Sequence, residues 1–134
     1  MSTPIEIKVR GYHLDVFGHV NNARYLEFLE EARWALLENH LATLASKGLA
    51  FVVVNININY RSSATLGDLV EIHSVISRFG GKSCTLTQKM IKKGSQTTVV
   101  EAEVTFVILG TDGRPLAMEG ELHKMLTPFA DKSL

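Results

Sequence analysis

The chain has 134 residues, with 14 basic and 14 acidic side chains, and is 46% apolar and 21% charged. This length implies one domain over residues 1–134 that buries roughly two thirds of its unfolded surface. Zero formal charge weighs against a general nucleic-acid binder, and the single cysteine, Cys84, excludes an intrachain disulfide.

The N-terminal "MSTPIEIKVRGY" has no apolar signal-peptide core, and no apolar run is long enough to span a bilayer. The expectation is a cytoplasmic protein without membrane insertion. Ile5 to Arg10 ("IEIKVR") alternates apolar and polar and predicts a short strand. A loop from Gly11 to Val20 follows, holding Asp15 and Gly18. Asn21 or Asn22 suits the N-cap of the next segment. There Tyr25, Phe28, Leu29, Ala32 and Leu36 recur at helical spacing, with Glu27, Glu30, Glu31 and Arg33 on the remaining positions. The helix is expected to weaken near Asn39-His40, resume through "LATLASK" and stop at Gly48.

Beyond Gly48 the period changes from helical to two. "AFVVVNININYRSSA" predicts a long strand with Val52, Val54, Ile56, Ile58 and Tyr60 on one face. Asn55, Asn57, Asn59 and Arg61 fall on the other. Asparagine is disfavoured in strands, so the row is either a solvated outer face or a polar contact with a second subunit. "DLVEIHSVISRF", "SCTLTQKMIKK" and "TTVVEAEVTFVIL" predict three more strands, joined at Gly80-Gly81-Lys82 and at "GSQ". Gly110-Thr111-Asp112-Gly113 is a turn before "RPLAM", and "EGELHKML" predicts a short terminal helix. Short glycine turns between consecutive strands imply an antiparallel sheet. One long helix on that sheet makes an α+β two-layer domain.

Several motifs fail on inspection. "GGKS" would need a further glycine five residues before Gly81 to be a phosphate loop, and Ile76 stands there. The five histidines, His13, His19, His40, His73 and His123, show no metal-ligand spacing. Cys84 sits within a predicted strand and reads as core. Asp15 is different: it stands in a glycine-containing loop directly ahead of a helix N-terminus. A carboxylate there can be a cap or dipole partner. It can also be half of a catalytic pair whose other half is the free helix N–H groups.

"D-x-x-G-H-V-N-N-x-x-Y" is formed by Asp15, Gly18, His19, Val20, Asn21, Asn22 and Tyr25. This pattern, the amphipathic helix after it, and the later "INYR…GD" resemble the signature of the hotdog-fold acyl thioesterases of the 4-hydroxybenzoyl-CoA thioesterase-like group. The resemblance covers nearly the whole chain. It implies a hotdog fold, with an antiparallel sheet wrapped around one long central helix. It also implies homodimers that pair sheet edges, with active sites at the interface, and tetramers built from those dimers.

The resemblance further implies an acyl-CoA substrate, no cofactor and no metal. Asp15 would be the catalytic carboxylate, as general base or as nucleophile, and the Asn22 N–H the oxyanion donor. His19 would orient the loop or Asp15, or simply pack there. Gly18 would let substrate approach the backbone, and Tyr25 would pack on the helix or line the acyl site. Arg61, Lys82 and Ser83 match regions that hold pantetheine and phosphate in relatives. Asn22 departs from relatives with histidine or an aromatic residue there, and Ser63 from many with proline. Phe28, Leu29, Ala32, Phe51 and Val53 are candidates to line the acyl chain. Long-chain acyl-CoA hydrolysis is the leading expectation. Carrier-protein or aryl-CoA thioesterase activity and a non-catalytic acyl-CoA-binding role stay open beside it.

Overall fold

The computed structural model describes residues 3–132, so Met1 and Ser2, which belong to the leader reading, lie outside it. In chain order the elements are β1 (Ile5–Lys8), α1 (Asn22–Ser46), β2 (Ala50–Tyr60), β3 (Leu69–Phe79), β4 (Cys84–Lys92), β5 (Thr98–Leu109) and α2 (Glu121–Leu126). The strands form one antiparallel sheet in the order β1-β3-β4-β5-β2. This is the α+β hotdog arrangement expected, with α1 packed on the inner face of a curled sheet. The "RPLAM" segment forms only an isolated bridge, Leu109 with Pro115. No helix among the described residues is long and apolar enough to cross a membrane.

The N-cap of α1 is Asn21, whose side chain accepts the Ala23 N–H at 2.9 Å. The expected weakening at Asn39-His40 does not occur, and α1 runs unbroken for 25 residues. Leu36, Leu37, Leu41 and Leu44 straddle that point and pack into one core cluster, and tertiary burial outweighs the local propensity of Asn and His. The helix ends as expected at Gly48. There φ is +72°, the Leu49 N–H reaches the Leu44 carbonyl at 2.9 Å and the Gly48 N–H the Ala45 carbonyl at 3.0 Å.

β2 departs from the simple alternation expected of it, which put Val52 and Val54 on one face with Ile56, Ile58 and Tyr60. Val53 pairs with Phe106 and Asn55 with Thr105, so Val54 is an extra, bulged residue. Phe51 and Val53 before the bulge therefore share the helix-facing side with Ile56, Ile58 and Tyr60 after it. Val52 and the 56% exposed Val54 do not. A second irregularity, between Ile76 and Arg78, leaves Ser77 unpaired in β3. Bulges bend strands and increase twist, which curls this sheet around α1.

Arg33 also differs from expectation, being buried rather than on the solvent side. Its Nη1 donates to Gln88 Oε1 at 3.1 Å. Gln88 Nε2 in turn donates to the Leu29 carbonyl at 3.1 Å and to Ser74 Oγ at 3.0 Å. This polar row separates two apolar clusters. Val9, Tyr25, Leu29, Ile72 and Met90 lie on one side, and Leu37, Ile76, Leu86 and Phe106 on the other.

Candidate active site

Residues 14–20 fold into a small hairpin closed by the Leu14–Val20 bridge. The Asp15 N–H donates to the His19 carbonyl at 3.0 Å and the Gly18 N–H to the Asp15 carbonyl at 3.1 Å. Gly18 has φ +81°, the left-handed conformation that the last position of this turn requires. Asp15 Oδ1 accepts the Phe17 N–H at 2.9 Å. The Asp15 side chain is exposed, and Oδ2 makes no hydrogen bond among the described residues.

The helix start lies beside this hairpin because the Asn21 N–H donates to the His13 carbonyl at 3.0 Å and the Val20 N–H to the Ala64 carbonyl at 2.9 Å. Among the first N–H groups, that of Ala23 is capped by Asn21 Oδ1 and that of Arg24 by the Asn21 carbonyl at 2.8 Å. Asn22, the first helical residue, has no carbonyl four residues back within the helix. Its N–H makes no hydrogen bond among the described residues. Asp15 and Asn22 line one hollow together with His19, Tyr25, Tyr60 and Arg61. A free carboxylate oxygen and an unpaired N–H at the positive end of a long helix thus border one space. That combination can deliver a nucleophile and bind a developing oxyanion.

Residues 9–126 match the model of the thioesterase-like superfamily. This chain belongs to that superfamily. It is 52% identical over 124 residues to the long-chain acyl-CoA thioesterase FadM of Escherichia coli (strain K12), covering 90% of this chain and 94% of the relative. It is 35% identical over 104 residues to the acyl-CoA thioester hydrolase YbgC of Escherichia coli O6:H1, covering 74% and 77%. The crystal structure of YbaW, a probable thioesterase from Escherichia coli, superposes with a TM-score of 0.90 at 48% identity, covering 97% and 100%.

As a thioesterase-superfamily chain, the protein brings most of its sequence-predicted site residues together. Tyr25 is buried, and its Oη accepts the Ala64 N–H at 3.0 Å, so it holds the hollow's wall while bordering it. Burial pushes its phenol up, with the Ala64 bond acting the other way. The His19 ring makes no hydrogen bond among the described residues, and its backbone instead closes the hairpin. Arg61 borders the hollow and lies 3.4 Å from Glu101 on the outer sheet face. Lys82 and Ser83 are not in the hollow. They follow the far end of β3, about 33 Å along an eleven-residue strand from its Leu69 end.

Two contributors were not singled out from the sequence. Tyr60 Oη donates to the Asn22 carbonyl at 3.4 Å. His13, buried against Phe28, accepts the Arg10 N–H on Nδ1 at 2.9 Å. Its carbonyl takes the Asn21 N–H, so it ties the hairpin base to the helix start. The one available signal was its place two residues before Asp15.

A separate groove of about 360 Å³ opens between α1 and β2. Leu37, Leu41, Phe51, Val53 and Ile56 make its apolar wall, and Glu30, Arg33 and Trp34 the rest. The bulge at Val54 is what turns Phe51, Val53 and Ile56 to the same side. Phe51 and Val53 are two of the expected acyl-lining residues. Phe28, Leu29 and Ala32 are buried and do not line this groove.

Proposed function

We propose that this chain hydrolyses long-chain acyl-CoA thioesters to free fatty acid and CoA. The observation that carries the reading is the pairing of the free Asp15 Oδ2 with the unpaired Asn22 N–H around one hollow. In the general-base route Asp15 takes a proton from water as the water oxygen bonds to the thioester carbon. In the nucleophilic route Oδ2 bonds to that carbon and water then cleaves the anhydride. Either way the carbonyl oxygen gains charge, which the Asn22 N–H and the α1 dipole stabilise. The C–S bond breaks as the carbonyl re-forms. The CoA thiolate leaves readily, so no strong general acid is required.

Acyl length is set by the apolar groove, where each buried methylene contributes about 0.8 kcal/mol. The working assembly is a homodimer made through β2, an eleven-residue edge strand paired on one side by β5. A long exposed strand edge invites pairing with another chain. Antiparallel self-pairing about the strand's middle sets the Tyr60 end of one protomer against the Ala50 end of the other. The hollow of one subunit then adjoins the groove of its partner, and Lys82 and Ser83 approach from the partner's far strand ends. Arg61, Lys82 and Ser83 supply charge-assisted and polar contacts to CoA phosphate and pantetheine. The exposed Asn55, Asn57 and Asn59 row is the polar face through which two dimers meet as a tetramer. The working location is the cytoplasm, consistent with a lone, buried and unpaired Cys84.

The test is thiol release from acetyl-, benzoyl- and palmitoyl-CoA, with solution mass measured on the same sample. Fast turnover of palmitoyl-CoA by a dimer or tetramer supports the reading. Preference for benzoyl-CoA moves the substrate to the aryl class. No turnover of any thioester leaves an acyl-CoA-binding protein, and a strictly monomeric mass removes the shared site.

A further inference from the structure

The polar corner of the α1–β2 groove has no role in the chemistry above. Arg33 is 8% exposed and borders a wall of Leu37, Leu41, Phe51, Val53 and Ile56. A guanidinium carries five N–H donors. Within the described residues Arg33 uses one nitrogen, in the 3.1 Å bond to Gln88 Oε1. It forms no ion pair there, and the nearby Glu30 carboxylate accepts the Trp34 indole N–H at 3.2 Å. No sealed side-chain nitrogen or oxygen among the described residues lacks a partner, so the unspent Arg33 donors keep contact with solvent, and Arg33 borders this groove. A hydrocarbon chain lying there would strip water from these donors and return nothing, which is costly for a charged group. An oxygen on the chain would restore the bond. Glu30 lines the same groove, so a neutral acceptor fits the local charge better than a carboxylate.

We propose that Arg33 reads a hydroxyl or keto oxygen carried on the acyl chain, so that oxygenated long-chain acyl groups are selected over plain hydrocarbon chains. This rests on the thioesterase reading above. A site built to hydrogen-bond a substrate oxygen discriminates against the analogue lacking it more sharply than an apolar wall discriminates chain length.

The experiment compares kcat/KM for palmitoyl-CoA with that for hydroxypalmitoyl-CoA isomers bearing the hydroxyl near the thioester, at mid-chain and at the terminal carbon. A terminal-carboxylate analogue is run alongside. Wild type should favour one hydroxylated isomer by roughly tenfold or more. Arg33→Met should bring the ratio of kcat/KM between the isomers and palmitoyl-CoA, measured within the variant, to about one, and Arg33→Lys should restore part of the wild-type ratio. Equal rates for all isomers in wild type, or an unchanged ratio in folded Arg33→Met, would overturn the proposal. So would a preference for the terminal carboxylate. If Arg33→Met does not fold, the wild-type isomer series decides alone. If wild type cleaves no thioester, the function itself fails and this proposal with it. If it cleaves palmitoyl-CoA without an isomer preference, only this proposal fails.

Discussion

The Phe17 N–H donates to Asp15 Oδ1 at 2.9 Å, which orients the carboxylate and leaves Oδ2 free. An amide in place of the carboxylate keeps an oxygen for that bond and removes the base. Asp15→Asn is therefore expected to fold normally and to lose about 10²–10⁴ of kcat/KM. Thiol release and thermal melting on the same preparation check this. Activity retained by the folded variant would discard Asp15 as the catalytic group.

The oxyanion role of Asn22 belongs to its backbone, and two substitutions separate backbone from side chain. Asn22→Ala keeps the N–H and should change kcat less than about tenfold. Asn22→Pro removes the N–H at the first helical position, where proline is well tolerated. The preceding Asn21, at φ −62° and ψ 137°, already has the conformation that proline demands of its neighbour. Asn22→Pro should thus melt near wild type and lose about 10²–10³ in kcat. Equal activity of the two variants would rule out this donor.

Gly18 is constrained by backbone conformation and not by space. No heavy atom lies within 4 Å of an added Cβ, yet φ is +81°. Gly18→Ala should cost about 1–2 kcal/mol, and Gly18→Asn less, because asparagine enters this region more readily. Chemical denaturation measures the difference. An alanine variant as stable as wild type would mean the hairpin relaxes.

His13 makes stability depend on pH. Burial, followed by the charge of Arg24, holds its imidazole below the ordinary 6.5. The unfolded state then binds more protons between the two values, so stability rises with pH through that window. His13's contribution is complete above about 6.5 and is lost as pH falls through the folded value. Wild type should lose more melting temperature between about pH 7.5 and about pH 5 than His13→Gln, which keeps an acceptor but does not titrate. Parallel losses would place the effect elsewhere.

What is local in this protein was legible in the sequence. A cap at Asn21 or Asn22, a turn at Gly18, a helix stop at Gly48 and the change of period after it each follow from a few adjacent residues. The Asp15–Asn22 juxtaposition was legible too, because only six residues separate carboxylate from helix start and a tight turn must bring them together. Other features depended on residues distant in the chain. The bulge at Val54 is a mismatch between β2 and β5, so it turned Phe51 and Val53 inward against the simple alternation. Arg33 falls among the charged positions of the helix in sequence, and its burial depends on Gln88, fifty-five positions away. The break expected at Asn39-His40 vanished because the leucines on either side bury against the sheet. Lys82 and Ser83 parted from Asp15 because a full strand lies between them. Local backbone preferences are written within a turn or two of chain. Strand register, burial and the closing of distances are set by contacts that exist only once the sheet has curled around its helix.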